Sequence, residues 1–166
     1  MLAWFFKNVP EGIIIEDDCL PTSSFFYFCA ENLKRYRNDD RVWSISGNNF
    51  VSRQKLEPIK ASYYFSQYPH IWGWATWRRS WQKVNMKLSV SKLENILVQG
   101  SLANYFNDIS ITRYWTKIAR NTIAGKIDTW DTFFVLYCFL NNGLCLTPTV
   151  NLVDNLGFGK LSTHTK

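Results

Sequence analysis

The sequence predicts an α/β protein in which a buried β-sheet is flanked by α-helices. Two short apolar segments rich in β-branched residues, at positions 13–15 and 42–46, are typical of buried strands. A longer segment at 22–37 has apolar residues at helical spacing. With 166 residues the chain is long enough for a substantial hydrophobic core. We therefore expect a single domain of this class.

The remaining elements are predicted from turn residues and periodicity. The chain opens on the end of a helix that stops before Pro10, and a turn follows at Glu11-Gly12. Strands are also predicted at 62–66 and 144–153. Helices are predicted from Ala75 to 81, over 89–99, over 101–122 and over 128–143, the last of them apolar nearly all round and therefore buried, and a glycine-rich polar loop ends the chain.

Three carboxylates, Glu16, Asp17 and Asp18, directly follow the first apolar strand. An unpaired buried carboxylate is unfavourable, whereas Mg²⁺ and Mn²⁺ prefer carboxylate oxygens as ligands. Open α/β sheets bind ligands beyond the carboxyl ends of their strands. A cation site is one interpretation of this triplet. The other is a solvated acidic turn that precedes the helix beginning near Thr22.

Aromatic residues are concentrated between Tyr68 and Trp81, where four of the eight tryptophans of the chain lie. Trp77 and Trp81 share one face of the predicted helix, which favours a core position. Trp72 and Trp74 flank Gly73, and an aromatic ring beside a closely approaching backbone is a common way to bind a sugar or a base.

The bulk composition restricts the class of partner. The net charge of +6 is spread along the chain, which is typical of a solvated surface, and no nucleic-acid-binding motif accompanies it. We therefore expect no nucleic acid partner. The four cysteines form no CxxC pair, which favours reduced thiols in a cytoplasmic protein. No stretch reaches the length of a transmembrane segment.

The order of the motifs resembles that of nucleotide-diphospho-sugar glycosyltransferases of the GT-A fold. The resemblance covers nearly the whole chain and is closest to the bacterial family-2-like group, also labelled hemolytic protein HlpA-like. The same order is similar to that of the N-acetylglucosaminyltransferase that begins complex N-glycan synthesis. The segments that carry it are EDD (16–18), SISGNN (44–49), YPHIWGWATWRRSW (68–81), WDTFF (130–134) and TPTVNLVDNLGFG (147–159) followed by HT (164–165).

The resemblance implies a role for several side chains. Asp18 would bind a divalent cation, Mn²⁺ or Mg²⁺, directly, and His164 would contact the metal or the diphosphate. Asp131 would be the general base, although relatives can carry two adjacent acids where this chain has Asp131-Thr132. The implied substrate-binding residues are Glu16, Asp17, Asn48, Trp72, Gly73 and Trp74.

The resemblance also implies a reaction and a fold. The protein would transfer a sugar from a nucleotide-diphosphate donor to a hydroxyl of a carbohydrate or lipid-linked acceptor, with inversion, in the cytoplasm or peripherally at a membrane. Its fold would be an incomplete, Rossmann-like GT-A fold with a mixed sheet. In GT-A enzymes a nucleotide-binding βαβα half precedes the acidic motif, so the chain would correspond to the C-terminal two-thirds of a catalytic domain.

Truncation leads to an alternative hypothesis. Strand 13–16 would lie in mid-sheet in a complete enzyme, and without its neighbours it would expose an edge. The chain would then be a non-catalytic remnant that binds carbohydrate or a protein partner.

Overall fold

The computed structural model describes residues 2–52, 55, 60–84, 88–127 and 129–158. They form two compact units. The sheet unit contains the described residues before Gln82 and after Gly143, and the helical unit is Gln82–Gly143.

Seven strands and three helices of the sheet unit lie within the described residues, as do four helices of the helical unit. In chain order the elements are α1 (Leu2–Asn8), β1 (Glu11–Ile14), β2 (Cys19–Pro21), α2 (Ser23–Arg35), β3 (Val42–Ser46), β4 (Tyr63–Ser66), β5 (Trp74–Trp77), α3 (Arg78–Trp81), α4 (Val90–Val98), α5 (Ser101–Phe106), α6 (Ile109–Ile123), α7 (Asp131–Leu140), β6 (Leu144–Pro148), β7 (Val153–Asn155) and a 3₁₀ turn at Leu156–Phe158.

Five strands form a mixed sheet in the order β1-β5-β3-β6-β4. The β3–β6 pair is parallel, and the other three pairs are antiparallel. A second, two-stranded sheet joins β2 to β7 in antiparallel register. The expected α/β class, with a mixed sheet and flanking helices, is confirmed.

Helix α2 covers the sheet with one apolar face. Phe25, Cys29 and Leu33 recur at every fourth position, so they lie on the same side of the helix, and all three are buried. They pack into one cluster with Ile45 of β3 and Trp77 of β5. The Trp77 indole N–H also donates to the Leu33 carbonyl at 3.1 Å, so the ring is buried with its polar group paired.

The first strand differs from its prediction in position and environment. It spans Glu11–Ile14 rather than 13–16, so the expected turn at Glu11-Gly12 is wrong. It lies at the edge of the sheet as the described residues form it, and its residues are half-buried rather than buried on both faces. Pairing with β5 sets this register, because Glu11 lies opposite Trp77 and Ile14 lies opposite Trp74.

The helix predicted from Ala75 is also wrong. Trp74–Trp77 form β5, a central strand paired with β1 on one side and β3 on the other, and the helix begins only at Arg78. All four strand residues are buried. A central strand buried on both faces lacks the alternation of polar and apolar residues that marks a strand in a sequence.

The helical unit has an aromatic core. The ring of Phe139 lies 4.8 Å from the rings of Phe106 and Trp115, measured between centroids. The predicted helix 101–122 is divided in two, because Asn107 adopts a left-handed conformation with φ of 49° and Asp108 starts a new helix. The Asp108 carboxylate accepts hydrogen bonds from the backbone N–H groups of two residues in the first turn of α6, and this cap ends one helix and begins the next.

Across the described residues, every helix falls short of the combined length and apolarity that crossing a lipid bilayer requires.

Candidate functional site

The acidic triplet forms a tight turn between β1 and β2. The backbone N–H of Cys19 donates to the carbonyl of Glu16 at 3.1 Å, which closes the turn. Glu16 and Asp18 are half-buried, whereas Asp17 is exposed. The side chains of Glu16, Asp18 and Cys19 each offer a ligand atom, and these atoms lie within 4.8 Å of one another. The structure thus brings together two of the three predicted carboxylates.

The C-terminal segment packs directly against this turn. Cys19 pairs with Asn155 in the two-stranded sheet, and the Leu156 N–H donates to the Asp18 carbonyl at 2.7 Å. Gly157 follows so closely that a Cβ atom at this position would lie 2.4 Å from Asp18 Oδ2. Its N–H donates to Asn155 Oδ1 at 2.7 Å. The absence of a side chain at Gly157 is therefore what allows the chain to approach the carboxylate.

Two carboxylates and one thiol form a mixed set of metal ligands, because oxygen is a hard ligand and sulfur is a soft one. Burial, and after it the neighbouring Asp18 carboxylate, raise the pKa of Cys19 to about 11, so the thiol is protonated at neutral pH. Its Sγ lies 3.5 Å from Asp18 Oδ1 and donates to it. Mg²⁺ and Mn²⁺ favour oxygen ligands. Glu16 and Asp18 are therefore the residues that fit such a cation, and Cys19 supports Asp18 through the thiol proton.

A polar pocket of about 230 Å³ lies in the same unit. Five of its lining residues are amides or acids, two are aromatic and one is aliphatic. They are Asn48, Asn49, Phe50, Trp72, Asn151, Val153, Asp154 and Asn155. Because Asn155 belongs to the pocket and pairs with Cys19, strand β7 connects the pocket to the acidic turn.

The predicted tryptophan-glycine-tryptophan segment divides between the pocket and the interior. Trp72 is half-buried, lines the pocket, and meets the edge of the Phe50 ring at a centroid distance of 5.0 Å. Gly73 is buried, with its carbonyl accepting from the Gly47 N–H at 2.7 Å. Trp74 is 0% exposed inside β5. Trp74 is not among the residues that line this pocket, and its expected place in a donor-sugar and acceptor cleft stays a prediction.

Asp131 lies in the helical unit, in the first turn of α7, where the sequence predicted it. One of its carboxylate oxygens accepts from the Thr132 N–H at 2.7 Å and from the Thr129 hydroxyl. A carboxylate at this place also interacts favourably with the helix dipole. His164, the other predicted metal contact, falls outside the described residues.

Several residues of the site were missed by sequence reasoning. Asn151, Asp154 and Asn155 reach the pocket from a segment that the sequence predicted only as an extended strand followed by a polar loop. The density of asparagine and glycine over 151–157 was the available signal, because these residues favour turns in which side chains bond to the backbone.

No protein-family model and no curated protein matches this sequence.

Proposed function

We propose that the chain is the catalytic part of a metal-dependent glycosyltransferase of the GT-A type, which transfers a sugar from a nucleotide-diphosphate donor to an acceptor hydroxyl. The observation that carries the proposal is the convergence of the Glu16 and Asp18 carboxylates in one turn. The pocket lined by Trp72 and asparagines, joined to that turn through β7, supports it further. The acceptor is a carbohydrate or a lipid-linked glycan.

Each residue has a defined part in the proposed chemistry. Glu16 and Asp18 hold Mn²⁺ or Mg²⁺, which when bound neutralises the negative charge of the diphosphate. Asp131 accepts the proton of the acceptor hydroxyl. The pKa of a sugar hydroxyl lies far above 7, so without a base the hydroxyl stays protonated and is a weak nucleophile. The acceptor oxygen bonds to the anomeric carbon on the face opposite the diphosphate. As this bond forms, the carbon–oxygen bond to the diphosphate breaks, the nucleoside diphosphate leaves with the electron pair, and the configuration inverts.

A second candidate function is carbohydrate binding without catalysis. The hydrogen bonds at Asp131 favour it, because Thr129 and the Thr132 N–H already occupy one carboxylate oxygen in the manner of a helix N-terminal interaction. In that case Asp131 stabilises α7 and takes no proton, while the pocket still binds a sugar.

Titration calorimetry with Mn²⁺ and a panel of nucleotide sugars tests the proposal. We expect Asp18→Asn to weaken Mn²⁺ binding by about 10–100-fold, since the amide removes the negative charge and one oxygen ligand. Glu31→Gln is the matched control, because Glu31 is an exposed acid on α2 outside the acidic turn. Equal Mn²⁺ affinity in Asp18→Asn and the wild type would contradict the metal site. If no nucleotide sugar binds in the presence of Mn²⁺, the transferase proposal fails.

A further inference from the structure

The pocket contains a buried amide that the described protein leaves without a complete set of partners. Asn48 is 2% exposed, and its Nδ2 atom has no hydrogen-bond partner among the described residues. Its Oδ1 atom lies 3.2 Å from the Ser46 hydroxyl, which also lies 3.1 Å from the Asn48 carbonyl. Because a hydroxyl can donate or accept, the Ser46 contact fits either orientation of the amide, and in each orientation one of its two polar atoms is left unpaired. A buried amide left unpaired is destabilising, typically by about 1–3 kcal/mol.

Three other asparagines are held in orientations that backbone donors determine. Asn49 Oδ1 accepts from the Val51 N–H at 2.8 Å, and Asn151 Oδ1 accepts from the Asn49 N–H at 3.1 Å. Asn155 Oδ1 accepts from the Gly157 N–H. A backbone N–H can only donate, so these contacts identify the oxygen of each amide. Asn49 and Asn155 can therefore bind a ligand mainly through the N–H groups of their side-chain amides.

The pocket offers few charges and a large aromatic surface. Among the described residues that line it, Asp154 is the one charged side chain, and none is a lysine, arginine or histidine. Nearby His70 meets the Phe50 ring at 4.8 Å, and burial lowers its pKa, which favours the uncharged imidazole. Among the described residues that line the pocket, a phosphate or a sugar carboxylate would find no positive partner and would face Asp154. A neutral polyhydroxylated ring would instead donate hydroxyls to Asp154, accept from the amides and pack its C–H groups on Trp72.

We propose that this pocket binds one neutral sugar ring, a hexose or an N-acetylhexosamine, and excludes hexose 6-phosphates and uronic acids. Its volume of about 230 Å³ is below the range of about 300–1,000 Å³ typical of drug-sized ligands, which suits one ring rather than an oligosaccharide. The inference extends the proposed function by naming the class of sugar at that site. It does not require transfer, metal or nucleotide, so it can be tested separately.

The test measures binding of free sugars in the absence of metal and nucleotide. Tryptophan fluorescence and ligand-observed NMR titrations would use methyl glycosides of glucose, galactose and N-acetylglucosamine, compared with glucuronate and glucose 6-phosphate. We expect at least one neutral glycoside to bind at least about ten-fold more tightly than both anions, a difference that corresponds to about 1.4 kcal/mol. Trp72→Ala should abolish the binding, whereas Trp4→Ala, which removes an exposed tryptophan of α1, should leave it unchanged.

The variant Asn48→Leu separates a ligand-binding role from a structural role. Leucine is close in shape to asparagine and removes the unpaired amide, while the Ser46 hydroxyl keeps its bond to the Asn48 carbonyl. We expect the urea midpoint to stay equal or rise and the neutral-sugar affinity to fall at least about ten-fold.

Three results would overturn the inference. They are equal binding of the anionic and neutral sugars, no saturable binding of any neutral glycoside to the folded wild type, and wild-type sugar affinity in Asn48→Leu. Failure of these sugar titrations alongside intact Mn²⁺-dependent nucleotide-sugar binding would reject the pocket and leave the transferase proposal standing. The reverse pattern would reject the transferase and leave the pocket.

Discussion

Single residues determine how closely the C-terminal segment approaches the acidic turn. Gly157 leaves no room for a side chain beside Asp18, and Asn155 anchors the glycine N–H. The protonated thiol of Cys19 donates a hydrogen bond to the same carboxylate. Among the described residues, these contacts hold Asp18 in place by polar partners.

Replacing Gly157 by alanine should reduce the affinity for Mn²⁺. The new methyl group would meet Asp18 Oδ2 at 2.4 Å, so either the carboxylate or the turn must move. We expect a loss of about 10–100-fold in Mn²⁺ affinity by calorimetry, as is typical when a contact that orients a metal ligand is lost. Gly125→Ala is the control, because a Cβ at Gly125 would meet no heavy atom of the described residues within 4 Å beyond its chain neighbours, and only its φ of 71° opposes the substitution. That control should lose about 1 kcal/mol of stability and no Mn²⁺ affinity.

The ion pair between Asp39 and Arg41 predicts acid sensitivity. The guanidinium donates to both carboxylate oxygens at 2.9 and 2.7 Å and holds the pKa of Asp39 at about 2, well below its ordinary value of about 3.9. A lowered folded-state pKa gives stability that is fully present above about pH 4 and is lost as the pH falls through about 2. We expect the thermal midpoints of the wild type and Asp39→Asn to differ at pH 5 and to converge towards pH 2.

The neighbouring residue provides the control for this acid titration. Asp40 is largely exposed and its contact with Arg79 is long, at 3.8 Å, so Asp40→Asn should change the thermal midpoint at pH 5 by less than Asp39→Asn does. A midpoint difference for Asp39→Asn that is the same at pH 5 and at pH 2 would contradict the assignment of the stabilisation to the ionised pair.

At the scale of elements, three chain segments meet where β3 ends. The Gly47 N–H donates to the Gly73 carbonyl, and the Leu152 N–H donates to the Gly47 carbonyl at 2.9 Å. Val153 packs over both glycines. This crossing brings the end of β3, the start of β5 and the approach to β7 together. The pocket is lined by residues just after β3, by Trp72 just before β5, and by residues in and just before β7.

A side chain at Gly47 should weaken this crossing. An alanine Cβ would lie 2.6 Å from the Gly73 carbonyl oxygen and 2.5 Å from Val153 Cγ2. We expect Gly47→Ala to lower the free energy of unfolding by about 1–3 kcal/mol in urea titrations, as overpacking of a tight interior does. The double variant Gly47→Ala/Val153→Ala should recover part of that loss only, because the carbonyl clash remains. A Gly47→Ala protein as stable as the wild type would contradict the close packing.

At the scale of the whole molecule, the proposed functional groups are divided between the two units. The acidic turn and the pocket belong to the sheet unit, whereas Asp131 belongs to the helical unit. Binding and proton transfer are therefore assigned to different parts of the chain, and a substitution in one part should leave the other function measurable.

Asp131→Asn tests the proposed separation of binding, in the sheet unit, from proton transfer, in the helical unit. The amide oxygen can still accept from the Thr132 N–H and from Thr129, so we expect α7 to stay folded and Mn²⁺ and sugar affinities to remain within about two-fold. Loss of the base should reduce the rate of sugar transfer by about 10²–10⁴-fold. An unchanged transfer rate would reject the general base, and a matching loss of Mn²⁺ and sugar binding would indicate a structural role instead.

Part of the fold and of the site could be predicted because the signal is local. The strands at 42–46 and 63–66 and the helix that begins after Thr22 were predicted to within a residue or two, since burial and capping leave a periodic or terminal pattern. The approach of Glu16 to Asp18 follows from their spacing across a short turn. The burial of Trp74 could not be predicted, because aromatic density does not distinguish a strand interior from a binding surface.

The sequence by itself determined the α/β class, the acidic turn after the first strand and the candidate carboxylates of the cation site, because each depends on neighbours only a few residues away. Only the tertiary structure decided that β1 lies at the sheet edge and that residues 74–77 form a central strand, because strand pairing is a long-range choice. It also decided the pocket, where the Asn49 N–H bonds to Asn151 across 102 positions of chain. Such contacts depend on the folding of the whole sheet unit, and no local periodicity encodes them.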